Sequence, residues 1–150
     1  MISLRFLLLA LLLSVTLTGC KKDGATPAPT LNSQTDLLVA NNWLVSRVST
    51  PDGQIISTSR LNLATQVLYQ LNMQFRSDNT VRAIDRTSKQ IINGGTWKLA
   101  NDSKSMDIDV TGFKGNFPIV ELSRTRLILR QRAPVDGKDT DINLEFAPSI

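Results

Sequence analysis

Met106-Asp107-Ile108-Asp109-Val110 alternates apolar and charged residues without a break. A period of two places the apolar side chains on one face of a strand and the carboxylates on the other. The flanking residues show how such a strand is partnered. A turn centred on Asp102-Ser103 sets Leu99 against Met106 and Trp97 against Ile108. A turn centred on Arg124-Thr125 sets Leu122 against Leu127 and Val120 against Leu129. Apolar meets apolar in both hairpins, as a sheet with one buried face requires, since a slip of one residue would turn a whole set to the wrong side. The pattern therefore constrains the chain to an antiparallel meander.

The remaining strands follow from the same period. Trp43 to Val48 is the first, with Trp43 and Val45 on one face. Pro51-Asp52-Gly53 is a turn signal, followed by a short strand through Ile55 and Ile56. Residues 60–71 carry two periods. Leu61, Ala64, Val67, Leu68 and Leu71 fit a helix, but Val67, Tyr69, Leu71, Met73 and Phe75 alternate, which predicts a strand over about 66–76. Ser77 to Thr80 turns the chain, and Val81 to Asp85 returns. Asn93-Gly94-Gly95 and Gly112 to Asn116 read as loops, and Phe117 to Leu122 as a strand. A last hairpin around Asp136-Gly137 leads to Ile142, Leu144 and Phe146. Thr35 or Asp36 caps at most one short N-terminal helix through Leu37, Leu38 and Val39. The expected fold class is all-β. It is a meander of about eight to ten strands that closes on itself, because an open meander leaves two unpaired edges.

Before this domain stands a leader. Arg5 supplies a positive start, Phe6 to Leu13 is unbroken apolar, and small and polar residues lead to Gly19. This is the layout of a secretory signal, too short for a helix that needs roughly 20 apolar residues to span a bilayer. Leu17-Thr18-Gly19-Cys20 resembles the lipobox of bacterial lipoproteins. That resemblance implies that residues 1–19 are removed and that Cys20 becomes the lipidated first residue. The alternative is a plain cleaved signal. Cys20 is the only Cys in 150 residues, so it cannot form an intramolecular disulfide, and a lone exported thiol asks for such an explanation. Two or more acyl chains make the attachment durable where one is marginal. Residues 20–35 are polar, with Pro27 and Pro29, and read as a flexible tether before a domain over 36–150. Lys21, Lys22 and Asp23 resemble surface-export signals of Bacteroidetes lipoproteins, and equally suit the charged start of a solvated linker.

Composition narrows the function. There is no His, which removes the usual general base and the commonest metal ligand and makes a Ser-His-Asp triad impossible. With Cys20 lipidated, Cys-His catalysis and zinc clusters go too. Of the 17 Lys and Arg, Arg5 leaves with the leader, so 16 stand against 13 acidic residues, a mild +3. That is no nucleic-acid footprint.

Trp43 in the first strand, Phe75 before Ser77-Asp78-Asn79, Gly95-Thr96-Trp97-Lys98-Leu99, and Ile119 to Leu129 occur in an order and spacing that resemble the lipocalin-like lipoproteins of Bacteroidetes, over roughly residues 36–147. Asn41 stands where lipocalins usually have Gly. Their Trp packs under an Arg from a late strand, for which Arg130 or Arg132 would serve. The resemblance implies a calycin-type barrel without catalytic activity or cofactor.

Trp43, Tyr69, Phe75 and Trp97 are candidate ligand-binding residues if they line an apolar pocket at the barrel mouth, and core residues if side chains fill the barrel. Arg126, Arg130 and Arg132 share one strand face and could meet anionic headgroups. The last hairpin, however, puts Asp141 opposite Arg132 and Glu145 diagonal to Arg126 and Arg130, with Glu121 on the other side, which predicts cross-strand ion pairs on a solvated face. Asp107 and Asp109 share a face but point outward, and Asp136 to Asp141 lacks Ca²⁺-loop spacing, so no metal site is expected. The expectation is a lipid-anchored binding protein of the cell envelope, on the outer membrane facing the periplasm or the surface, with a small apolar ligand. The alternative is an accessory or inhibitory lipoprotein that contacts another envelope protein.

Overall fold

A computed structural model describes residues 31–149. The leader, Cys20 and the first part of the stretch read as a tether lie outside the described residues. Nine strands run β1 Asn42–Ser49, β2 Ile55–Ile56, β3 Leu71–Phe75, β4 Thr80–Asp85, β5 Ile91–Leu99, β6 Ser105–Val110, β7 Phe113–Leu122, β8 Leu127–Val135 and β9 Lys138–Ser149. β3 to β9 form a consecutive antiparallel meander, and β9 returns to pair with β1 from Asn42↔Ser149 to Ser49↔Asn143. This last pairing closes an eight-stranded barrel, with β2 a two-residue flap on β1. Closure satisfies the backbone groups that two free edges would have left open.

The alternation holds where it was cleanest. Met106, Ile108 and Val110 are buried and Asp107 and Asp109 exposed. Leu99 faces Met106 and Trp97 faces Ile108, in the expected register. Trp43, Met106, Leu127, Leu129, Ile142 and Leu144 have no exposed surface and form the centre of the core.

The barrel has two different ends. The helix α1, Leu31–Val39, closes one of them. Its Leu38 is buried, and its Leu38 carbonyl accepts a 2.8 Å hydrogen bond from Trp43 Nε1. Phe75 and Trp97 meet there edge to face, with centroids 5.6 Å apart, and Trp97 Nε1 donates to the Arg76 carbonyl at 3.1 Å. The opposite end carries a second short helix, α2 Leu63–Val67, flanked by 3₁₀ turns at Thr58–Arg60 and Leu68–Gln70.

Several local expectations are corrected. Helix α1 starts at Leu31, so Thr35 and Asp36 lie inside it and five residues assigned to the tether are helical; packing of Leu38 beneath Trp43 holds a longer helix than the cap pattern implied. The strand expected from residue 66 starts only at Leu71. Asn62 caps α2, its side chain accepting from the Thr65 N–H at 3.0 Å, and the helical period wins as far as Gln70. Asn93, Gly94 and Gly95 belong to β5. A Cβ on Gly95 would collide with the Asp109 backbone, so the absent side chain lets β5 and β6 approach. The loop expected over 112–116 shrinks to Thr111-Gly112, with Val110 paired to Phe113 and Gly112 at φ 80°, so β7 begins at Phe113. A bulge between Ile119 and Glu121 puts Ile119, not Val120, opposite Leu129, and Val120 turns outward.

Candidate functional site

Two seams of the barrel are only partly zipped. β1 pairs with β3 only from Asn42 to Leu44, and β7 with β8 only between Ile119–Leu122 and Leu127–Leu129. The segment from Leu61 to Gln70 lies across this end. Leu61 bridges to Val135, the Asp136 N–H donates to the Arg60 carbonyl, and Arg60 pairs with Asp136 at 2.7 Å. Leu68 and Thr65 of this segment are buried, while Leu63 and Val67, four residues apart on one helical face, stay exposed.

Under α2 lies an apolar chamber of about 420 Å³. Its walls are Leu71 and Met73 of β3, Ala83 of β4, Ile92 and Asn93 of β5, Val110 of β6 and Thr111 to Phe113; its roof is Leu63, Ala64, Val67 and Leu68. A bulge positions Ile92: Ala83 pairs with Asn93 and Ile84 with Ile91, so Ile92 is the extra residue, aimed at the mouth. Leu63, Val67 and Ile92 form an exposed apolar rim, and Ile91, next to Ile92 in the chain, is exposed as well. A smaller space of about 160 Å³ adjoins, sharing Ala64, Leu68, Gly112 and Phe113, and reaches across to Gln131–Pro134 of β8.

The four aromatic candidates do not gather here. None of Trp43, Tyr69, Phe75 and Trp97 lines the chamber. Trp43, Phe75 and Trp97 pack in the core, all three tied to the end closed by α1. Tyr69 sits in a 3₁₀ turn, half-buried against the core. Burial raises its pKa above the usual phenol range, while a hydrogen bond with the Val48 backbone pulls the other way. The chamber's lining is mostly aliphatic, and its aromatic member is Phe113, which stacks on Phe117 at 4.6 Å. Phe113 lay in an expected loop; the signal that would have found it is the Gly at the second position of a two-residue turn.

The charged face is not fully solvated. Glu145 is only 5% exposed. It accepts from Ser49 Oγ at 2.6 Å, Arg47 Nε at 2.7 Å and Arg126 at 2.6 Å. Burial pushes its pKa up, but these donors and the Arg47 charge outweigh that and hold it below the ordinary glutamate value. The expected Arg126 pairing with Glu145 and Glu121 is present, the latter at 3.6 Å. Arg130 instead donates to Asn143 at 3.1 Å, and Arg132 makes no ion pair with any of the described residues. Ser49, Arg47 and Arg126 surround the carboxylate, which is why this face departs from the solvated reading.

Asp107 and Asp109 border an outer groove of about 590 Å³. Asn116 donates to Asp107 and Lys114 pairs with Asp109, both at 2.8 Å, so the carboxylates are already satisfied. Among the described residues there is no group of three or more Asp, Glu, His or Cys that would hold a metal ion, and no helix long and apolar enough to cross a membrane.

No protein-family model matches the chain, and no curated protein matches it in sequence. Among solved structures, a DUF4847 family protein from Bacteroides vulgatus is similar, with a TM-score of 0.50 and 15% identity, covering 75% of this chain and 94% of that one. The likeness is one of fold, an antiparallel barrel.

Proposed function

We propose that this chain is a lipid-anchored, non-catalytic binding protein of the cell envelope, built as a lipocalin-like barrel, that holds a small apolar ligand beneath α2. The observation that carries the reading is the chamber of about 420 Å³ at the barrel mouth. Its size falls in the range of small-molecule sites, and its wall is apolar with few polar groups, as such sites are. The anchor rests on the sequence, where Leu17-Thr18-Gly19-Cys20 ends an apolar leader. In the Cys20→Ala variant the precursor stays uncleaved or the protein leaves the membrane fraction; normal processing and fractionation would refute the anchor.

The exposed rim of Leu63, Val67 and Ile92, with the exposed Ile91 beside Ile92 in the chain, favours a second reading, an accessory lipoprotein that presses its mouth onto another envelope protein. Native mass spectrometry of the tagless protein from its own envelope separates the two. A retained mass of a few hundred daltons supports the carrier, and a bound polypeptide supports the accessory role.

A further inference from the structure

We propose that the ligand under α2 is an uncharged amphiphile, with a hydrocarbon body in the chamber and a hydroxyl, ester or amide head in the adjoining space beside β8. The inference rests on the reading of the chamber as a ligand site and adds the ligand's chemical class. The chamber wall carries no charged side chain. Its one amide is already engaged: Asn93 Nδ2 donates to the Thr111 carbonyl at 2.8 Å, and Asn93 Oδ1 accepts from the Gly94 N–H at 2.8 Å. The chamber therefore suits hydrocarbon alone.

The adjoining space is different in kind. Asn62, Thr65 and Gln131 line it. Gln131 lies between the buried, inward-facing Leu129 and Ala133, so the strand's alternation turns it into the barrel. It is half-buried, and among the described residues its side-chain amide has no hydrogen-bond partner. Its amide atoms keep some access to solvent, so a ligand head here takes the place of water. A ligand head that both donates and accepts would satisfy it.

Charge selects the head further. Arg132 is the one cation lining this space, and it is exposed to solvent, in register with Asp141. A carboxylate head would shed its hydration without meeting a buried cation, which is unfavourable. A neutral head has no such penalty and keeps the hydrogen bond to Gln131.

The test uses the full chain in amphipol with N-phenyl-1-naphthylamine, a neutral fluorescent probe, as reporter. 1-Decanol should displace the probe at a concentration about tenfold below that of decanoate. Gln131→Leu should weaken decanol by about tenfold while leaving probe affinity within about twofold, the size expected for one hydrogen bond to a head group. Gln131→Lys should reverse the preference in favour of decanoate. Melting curves of both variants verify that they are folded. Decanoate competing as well as decanol, or Gln131→Leu leaving decanol unchanged, would overturn the neutral-head assignment while the chamber reading stands. Failure of the probe itself to bind the wild type would overturn both.

Discussion

Glu145→Gln probes the one buried charge among the described residues, which ties β1 and β9 to the start of β8. The carboxylate joins Arg47 and Ser49 of β1 to Arg126 at the start of β8. Each hydrogen bond to a charged group contributes roughly 1.5–3 kcal/mol. Against this stands the desolvation of a buried carboxylate, several kcal/mol. Arg47 and Arg126 are 47% and 41% exposed in their side chains, so they rehydrate when their partner loses its charge. The net loss at pH 7 is therefore about 2 kcal/mol, or about 8 °C in Tm for a domain of this size. Glu145→Ala costs about 1–3 kcal/mol more, because the Ser49 hydroxyl, almost fully buried, loses its acceptor. The pH dependence follows from the sign of the shift. A carboxyl held below its ordinary value adds stability that is complete above the unfolded pKa and is lost as pH falls through the folded one. Urea denaturation at pH 7 and pH 3 should show the gap between wild type and Glu145→Gln wide at the first and nearly closed at the second. Asp78 and Asp85, lowered by hydrogen bonds within their own turns, titrate alike in both proteins and cancel from the difference. A gap of equal size at both pH values, or a variant more stable than the wild type, would refute the assigned role.

Two further outcomes follow from the geometry. Gly95→Ala should cost more than about 3 kcal/mol and broaden the amide spectrum across β5 and β6, because the new Cβ meets Asp109 backbone that cannot move without breaking the ladder; a mild loss comparable to an exposed strand substitution would show that the strands can part. On the lipid-anchored reading the chain enters at the end closed by α1, while the β8–β9 turn lies at the mouth, so the mouth faces away from the bilayer. A fluorophore on Ala40→Cys should be quenched by headgroup-nitroxide lipid more strongly than one on Lys138→Cys, and equal quenching would put the barrel on its side.

The parts of the fold that were legible are the local ones. Leu99, Met106, Trp97 and Ile108 name each other as partners because a period of two and a short polar turn fix register over a dozen residues. The same holds at Asp136-Gly137, where both residues have positive φ, 51° and 77°, and Arg132 meets Asp141 as expected. The closing pair is another matter. Arg47 and Glu145 are separated by 98 positions, and no turn between them records which residues of β1 and β9 face each other. That is why Glu145 looked like one more charge on a wet face. Bulges were equally silent: one extra residue in β5 or β7 changes no composition, yet it aims Ile92 at the mouth and Val120 at solvent.

The site was the least legible element because its residues look ordinary. Aromatic side chains carry the largest apolar surface, so Trp43, Phe75 and Trp97 drew the binding role, and for the same physical reason they were used to fill the closed end of the barrel. What remains open at the other end is bounded by Leu, Ala, Val, Met and Ile, which no motif distinguishes from core. The decisive residues lie in the stretch where two periods overlap. From Leu61 to Leu68 the helical spacing prevails once Asn62 caps it; from Leu71 the strand spacing takes over. A five-residue helix is unstable by itself and exists here because Leu61, Thr65 and Leu68 are pinned to the barrel. Its remaining face, Leu63 and Val67, is then left apolar and partly exposed at the edge of the chamber. Had the segment continued β3 toward the mouth, as the alternation alone suggested, the chamber would have no roof. The ambiguity of this one stretch and the existence of the site therefore have a common origin.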